Sequence, residues 1–401
     1  MKSETISSTR EESALAASAL AKAVVSKDRL STPDQLRGLI MILMALDHAS
    51  FFIAHTHQGE FWGGAVSTYQ SVLPFVTRFV THLCAPGFFF LMGVGMMLFA
   101  QSRRLEPTTR ILRYFITRGL LLMVINLFIE NPAWLLGPLD ELGPSMPGGG
   151  GEIFLAFGVL YGLGGSMILS SLLLRLPSGL LLAIGATAIL LTQAFTPDVS
   201  RFGYLYSPIL RLLLIPGQTG ILLVDYPIIP WCGLALFGVV AGRWLLNNEA
   251  ITYRRVAGLG VGLLVLFALV RTLGGFGNIN PPIGEGWIAF LNVTKYPPSL
   301  VYICITIGID LFLLALLAKI GKGSGVWTKP LLVFGRTPLF FYLAHLYIYA
   351  LAGRFVTPAK GTSLLAMYPY WIAGLLLLYP LCRWYGDFKQ RRGPDSLWRF
   401  L

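Results

Sequence analysis

Apolar residues along this chain gather into runs of about twenty, broken by shorter stretches rich in polar residues, glycine and proline. The runs fall at roughly 36–57, 79–101, 110–130, 152–174, 178–196, 219–245, 254–273, 299–319, 331–353 and 364–385. At ~1.5 Å per residue, about 20 helical residues cross a hydrocarbon layer ~30 Å thick. Inside that layer each backbone polar group needs a protein partner, which selects helix over open strand. The pattern therefore predicts an all-α polytopic membrane protein with about ten transmembrane helices. Tyr204–Ile215 is too short to span and reads as a re-entrant or interfacial piece. Residues 1–32 are polar and rich in alanine and serine. Their best apolar run, Ala14 to Ser26, is interrupted by Lys22 and lacks the continuous core of a signal peptide. This divides the chain into a mobile cytoplasmic tail at 1–32, a membrane domain at 33–388 and a basic cytoplasmic C-terminus at 389–401. A helix lying on the membrane surface is the rival reading of the tail.

The polar positions orient these runs. Cations cluster in alternate connections: Lys22, Lys27 and Arg29; Arg103, Arg104, Arg110 and Arg113; Arg175; Arg243, Arg254 and Arg255; Lys319, Lys322 and Lys329; Lys389, Arg391, Arg392 and Arg399. The intervening connections are poor in cations, and Glu130 to Glu152 holds four acids and no lysine or arginine. The positive-inside rule then predicts both termini on the cytoplasmic side. All five histidines fall in the outer half of that arrangement.

Composition agrees. The chain is 55% hydrophobic and 12% charged, against about 25% charged in soluble domains. A net charge of +12 would suggest nucleic acid in a soluble protein. Here the alternation explains it, so no nucleic-acid partner is expected and membrane lipids are. Cys84, Cys232, Cys304 and Cys382 lie in or beside apolar runs without metal-ligand spacing, so they read as buried thiols and no metal is expected.

Against this background the polar residues inside the runs stand out, because an ionisable group near the bilayer centre is costly and marks a functional candidate. The first run carries Asp47 and His48. On a 3.6-residue period Asp34, Arg37, Met41, Met44, His48 and His55 share one stripe. Arg37 and His48 then sit roughly 16 Å apart, a basic mouth joined to a half-buried base. Asp47 projects about 100° away from His48 and could pair instead with Arg78 or His82. Pro86 would clash with the carbonyl of His82, so either the helix kinks there or regular helix begins near Ala85. Thr337 before Pro338 reads as an N-cap beside Arg336, which makes a candidate anion site. Farther along, Tyr342, His345 and Tyr349 share a face. Asp225, Lys295 and Tyr296, and likewise Asn126 and Glu130, read first as solvated helix ends.

In series, PDQLRGLIMILMALDH, THLCAPGFFFLMGVG, DYPIIPWCGLALFGVVAG, KYPPSLVYICITIG and FGRTPLFFYLAHLYIY resemble the prokaryotic relatives of heparan-alpha-glucosaminide N-acetyltransferase, over about residues 31–385. The resemblance implies a multi-pass enzyme of the cytoplasmic (inner) membrane. It would take an acyl group from cytoplasmic acetyl-CoA, its only cofactor, and deliver it across the membrane to an amino sugar or other glycan. It also implies a catalytic histidine in this region. In the lysosomal enzyme an asparagine occupies the place of His48, and the histidine comes where this chain has His55 and His57. His48, Asp47, His82 and His57 are therefore the catalytic candidates. For polyanionic CoA, Arg37, Arg113, Arg118 and Arg336 are the candidate ligands, with Arg103 and Arg104 near the same helix ends and its long arm following the Arg37–His48 stripe. His345, Tyr342 and Tyr296 are candidates for the acceptor. His48 would act as base or itself accept the acyl group. A homo-oligomer is compatible with the pattern. The competing class is a proton-coupled transporter or flippase using Asp47, His48 and His82 as a relay; no internal repeat supports it. A non-catalytic scaffold would leave the charged stripe without a purpose.

Overall fold

A computed structural model describes residues 30–56, 59–63, 68–69, 71–138, 153, 155–196, 206–320, 325–326, 328–393 and 396. In chain order the helices are α1 Ser31–Phe52, α2 Val72–Thr81, α3 Cys84–Ser102, α4 Thr108–Ile125, α5 Asn131–Trp134, α6 Val159–Leu173, α7 Ser178–Phe195, α8 Pro208–Leu213, α9 Ile228–Asn247, α10 Glu249–Leu273, α11 Trp287–Leu291, α12 Leu300–Ile320, α13 Thr328–Arg336, α14 Pro338–Phe355 and α15 Leu364–Gln390. A π-helical turn, Asn126–Glu130, joins α4 to α5. Among the described residues, seven continuous stretches are long and apolar enough to cross a membrane, or eight if the bent pair α13–α14 counts as one. The chain is an all-α multi-pass membrane protein.

The departures from ten simple spans have physical causes. The run at 219–245 opens with two strands, β2 Gly217–Thr219 and β3 Leu222–Val224. They join β1, Leu155–Phe157, in a sheet of order β1-β3-β2. Short buried apolar stretches look alike as strand or helix in one sequence. The run at 331–353 bends by 93° between α13 and α14, where Pro338 has no N–H to continue the helix. Thr337 stands at the N-cap of α14 with Pro338 at the first helical position, but its side chain caps no N–H. Its hydroxyl donates back to the Val333 carbonyl at 3.1 Å.

The helix α1 is absent from the seven because its charged and polar residues lower its hydropathy. It can afford them because 17 of its 22 residues are buried in protein rather than facing lipid. Glycines make the closest approaches: a Cβ on Gly38 would overlap the Leu331 carbonyl of α13, and one on Gly335 that of Asp34. From α3, Cys84 Sγ meets the Ile40 carbonyl at 3.4 Å, and from α15 the Trp371 indole donates to Ile42 at 3.2 Å. By contrast α10 and α15 leave most of their apolar surface exposed, as helices facing lipid do.

The α2–α3 break falls where the proline required it. Regular helix resumes at Cys84, which puts Pro86 in the first turn, where a missing N–H costs nothing. The His82 carbonyl left over accepts from the Tyr302 hydroxyl of α12 at 2.9 Å.

Candidate active site

A cavity of about 590 Å³ opens between α1, α3, α4, α6, α14 and α15, a volume ordinary for a site holding an organic ligand. One end is basic: Arg37, Arg103, Arg118, Arg336 and Lys389 all line it. The wall beyond is apolar, with Met41, Met92, Met96 and Met167, and at the other end stands Tyr342. Three of the four predicted CoA ligands, Arg37, Arg118 and Arg336, are thus brought together. Arg113 is not; it is exposed and does not line the cavity. Arg103 and Lys389 complete the mouth.

Asp34 arranges these cations. It accepts from Arg37 at 2.8 Å and lies 3.7 Å from Arg336, while Arg37 also donates to the Gly335 carbonyl at 3.1 Å. Arg118 donates to the Tyr114 hydroxyl at 3.2 Å, and its Nε has no hydrogen-bond partner among the described residues. Of the predicted stripe on α1, Arg37 and Met41 face the cavity. The cavity then leaves α1 and runs toward Tyr342.

Tyr342 is the link to the histidines. Its hydroxyl donates to Glu130 at 2.6 Å, and its ring stands edge-on to His48 with centroids 6.1 Å apart. Glu130 and Asn126 are not solvated helix ends: they are 2% and 0% exposed. The π-helical turn aims both at the start of α6, where Asn126 Oδ1 accepts from Gly158 at 2.9 Å and Glu130 from Leu160 at 3.4 Å. Such turns recur at functional sites. Trp134, immediately after, packs edge-on to His48 at 5.0 Å.

His48 and His345 meet although 297 residues separate them: Nδ1 of His48 lies 2.6 Å from Nε2 of His345. Both are buried. His345, a candidate for the acceptor, lies against the candidate base His48.

Asp47 turns a different way, to Arg78 and to the Thr81 hydroxyl at 2.9 Å. Arg78 grips Glu60 through Nε and Nη2 at 2.7 and 2.6 Å. His82 lies 3.2 Å from the same carboxylate, with its Nδ1 unpartnered among the described residues. Of the partners foreseen for Asp47, Arg78 pairs with it directly, and His82 joins the network through Glu60. Burial alone would raise the Glu60 pKa, but the adjacent Arg78 and His82 hold it well below the carboxylate range. Glu60 was missed from the sequence. Its only signal is a lone acid among aromatic residues in the first connection.

Tyr296 joins this second cluster. Its hydroxyl donates to Tyr226 at 3.3 Å, and the Lys295 ammonium sits 4.9 Å from its ring. Asp225, Lys295 and Tyr296 were expected at solvated helix ends, yet Lys295 and Tyr296 are 4% and 7% exposed. Burial pushes the Asp225 carboxyl up to about 7 against the pull of Lys295. His57 lies outside the described residues. His55 lies three residues beyond the end of α1 and packs near Gly361.

Two groupings of different chemistry thus meet at consecutive residues of α1: His48, edge-on to the Tyr342 ring that lines the cavity, and a dense charge network built on Asp47. A family model described as heparan-alpha-glucosaminide N-acetyltransferase, catalytic, matches residues 29–268. No curated protein matches the chain. The matched segment contains Arg37, Asp47, His48, Glu60, Arg78, His82, Arg118 and Glu130, and stops before Arg336, Tyr342 and His345. Since it covers well over half of the 401 residues, the chain belongs to the heparan-alpha-glucosaminide N-acetyltransferase catalytic family, a family of transmembrane acyltransferases.

Proposed function

We propose that the protein moves an acetyl group from cytoplasmic acetyl-CoA to an amino sugar or related glycan on the outer side of the membrane, with His48 as general base. One observation carries this reading: a single cavity begins among Arg37, Arg103, Arg118, Arg336 and Lys389 and ends at Tyr342, whose ring packs against His48. Five cations suit the phosphates of CoA, charge-assisted hydrogen bonds being the stronger kind. The apolar wall suits the pantetheine arm. The thioester would then lie near Tyr342. The alternation of basic connections supports a cytoplasmic mouth and cytoplasmic termini. The ten-span reading counts α1, α6 and the bent pair as crossings in addition to the seven.

In the transfer, the acceptor nitrogen attacks the thioester carbonyl carbon as His48 takes a proton from it. A carbon–nitrogen bond forms and the carbon–sulfur bond breaks. The CoA thiolate leaves and takes up the proton to give the free thiol. Asp47, Glu60, Arg78 and His82 hold the outer end of α1, and Tyr296 stands with them at the acceptor side.

The test is thiol release from acetyl-CoA in the presence of glucosamine by the purified protein in detergent. Arg118→Ala should weaken acetyl-CoA binding ~10–100-fold, the worth of one hydrogen bond to a charged group, with transfer regained at saturation. His48→Ala should keep binding and lose transfer. Absence of acetyl-CoA binding by the wild type would overturn the reading in favour of a transporter.

A further inference from the structure

The hydrogen positions on the histidine pair follow from one carbonyl. Nδ1 of His345 lies 2.9 Å from the carbonyl oxygen of Phe341, one turn earlier on α14. A carbonyl only accepts, so this nitrogen carries the hydrogen. A neutral imidazole has one N–H, which leaves the lone pair of His345 on Nε2. That lone pair faces Nδ1 of His48 at 2.6 Å. His48 must therefore donate from Nδ1, and its own lone pair sits on Nε2.

We propose that His345 is a positioning residue that holds His48 in the Nδ1–H tautomer, so that Nε2 is the basic atom. The catalytic meaning rests on the acyl-transfer reading above; the tautomer does not. In the better-known arrangement a carboxylate orients the base. Here the neighbouring carboxylate, Asp47, is engaged by Arg78 and Thr81, and a neutral imidazole takes that place. Packing fixes the geometry. The two rings lie within 12° of parallel with centroids 4.8 Å apart. Trp134 and Tyr342 stand at 82° and 75° to the His48 ring, so turning it would drive it into them. When His48 takes a proton at Nε2, the Nδ1–H bond to His345 becomes charge-assisted and strengthens. The dyad thus favours the protonated state created during transfer.

Two measurements test this, and they fail separately. The first uses the full chain labelled with 15N-histidine in detergent above pH 8, with His48 signals identified by their loss in His48→Gln. We expect a protonated Nδ1 and an unprotonated Nε2 in the wild type, and a mixed or reversed tautomer in His345→Phe. An Nε2–H tautomer in the wild type, or no change in the variant, would overturn the proposal whatever the activity. The second measures acetyl transfer to glucosamine. His345→Ala should lower kcat at least ~100-fold, the usual scale for a mis-set base, with KM for acetyl-CoA within twofold. His345→Gln, whose side-chain oxygen can reach the place of Nε2, should recover ~10-fold or more over His345→Ala, and the shorter His345→Asn should not. Variants that retain acetyl-CoA binding but show equal kcat for Gln, Asn and Ala would overturn it. A wild type with the expected tautomer and no transfer to any amine would instead remove the acyltransferase reading.

Discussion

Replacing Arg78 by methionine gives the sharpest test of what holds the C-terminal end of α1. The guanidinium side chain is 4% exposed, and it bridges Glu60, gripped at 2.7 and 2.6 Å, and Asp47. Methionine fills much of the volume and provides no donor, so two buried carboxylates lose their cation at once. Breaking a single buried pair by removing one partner costs about 3–5 kcal/mol. With two carboxylates affected, the expected loss at pH 7 is at least ~4 kcal/mol on that scale. The loss has a definite pH dependence. The wild-type Glu60 carboxyl is held below its ordinary 4.5, so it contributes stability above that pH and loses it on acidification. Without Arg78 the buried carboxyl takes up a proton earlier, so the gap between variant and wild type narrows as pH falls. Equilibrium unfolding in detergent, followed by tryptophan fluorescence at pH 7 and pH 5, measures both effects. Adding Asp47→Asn and Glu60→Gln to Arg78→Met removes the stranded charges and should recover most of the loss. A single variant within about 1 kcal/mol of wild type at pH 7 would refute the assignment of this network as a buried clamp.

Two further outcomes follow from other parts of the molecule. Gly335→Ala places a methyl group on the Asp34 carbonyl and must separate α13 from α1; overpacking of this kind costs about 1–3 kcal/mol. It should weaken acetyl-CoA binding ~10-fold in titration calorimetry by disturbing Arg37 and Arg336, whereas Gly179→Ala, with open space around it, should not. Asp225 titrates near 7 instead of 3.8 because it is buried. The folded state therefore binds the proton more tightly than the unfolded chain, and stability falls as pH rises from about 4 to 7. Above that range the cost reaches at most roughly 4 kcal/mol. Asp225→Asn should flatten the difference between unfolding at pH 5 and pH 8.

Much of the site was legible one helix at a time. The period of α1 put Arg37 and His48 on one stripe, and α1 does carry the cavity mouth at one end and the dyad at the other. Angular spacing alone separated Asp47 from His48, and Pro86 alone predicted irregular backbone beside His82. Polar residues in an apolar run announce themselves because the run around them is hostile to charge. Periodicity is silent about which helix faces which. Nothing local joins His48 to His345 or Glu130 to Tyr342, since those pairs exist only once distant helices pack.

Burial was misread for the same reason. Glu130, Lys295 and Tyr296 lie at helix ends, where solvent is the ordinary expectation, yet each is covered by the packing of other segments. Lys389 read as an orientation signal until α15 converged with α3 on one cavity. The sequence by itself determined the membrane class, the position of the basic residues and the candidate bases. These follow from hydropathy and helical geometry, which act over a few residues. Tertiary structure decided which carboxylates are neutralised, where the cavity leaves α1 and which nitrogen of His48 holds the lone pair. Those depend on contacts between groups up to 297 residues apart, whose energies arise only when the helices have excluded water from one another.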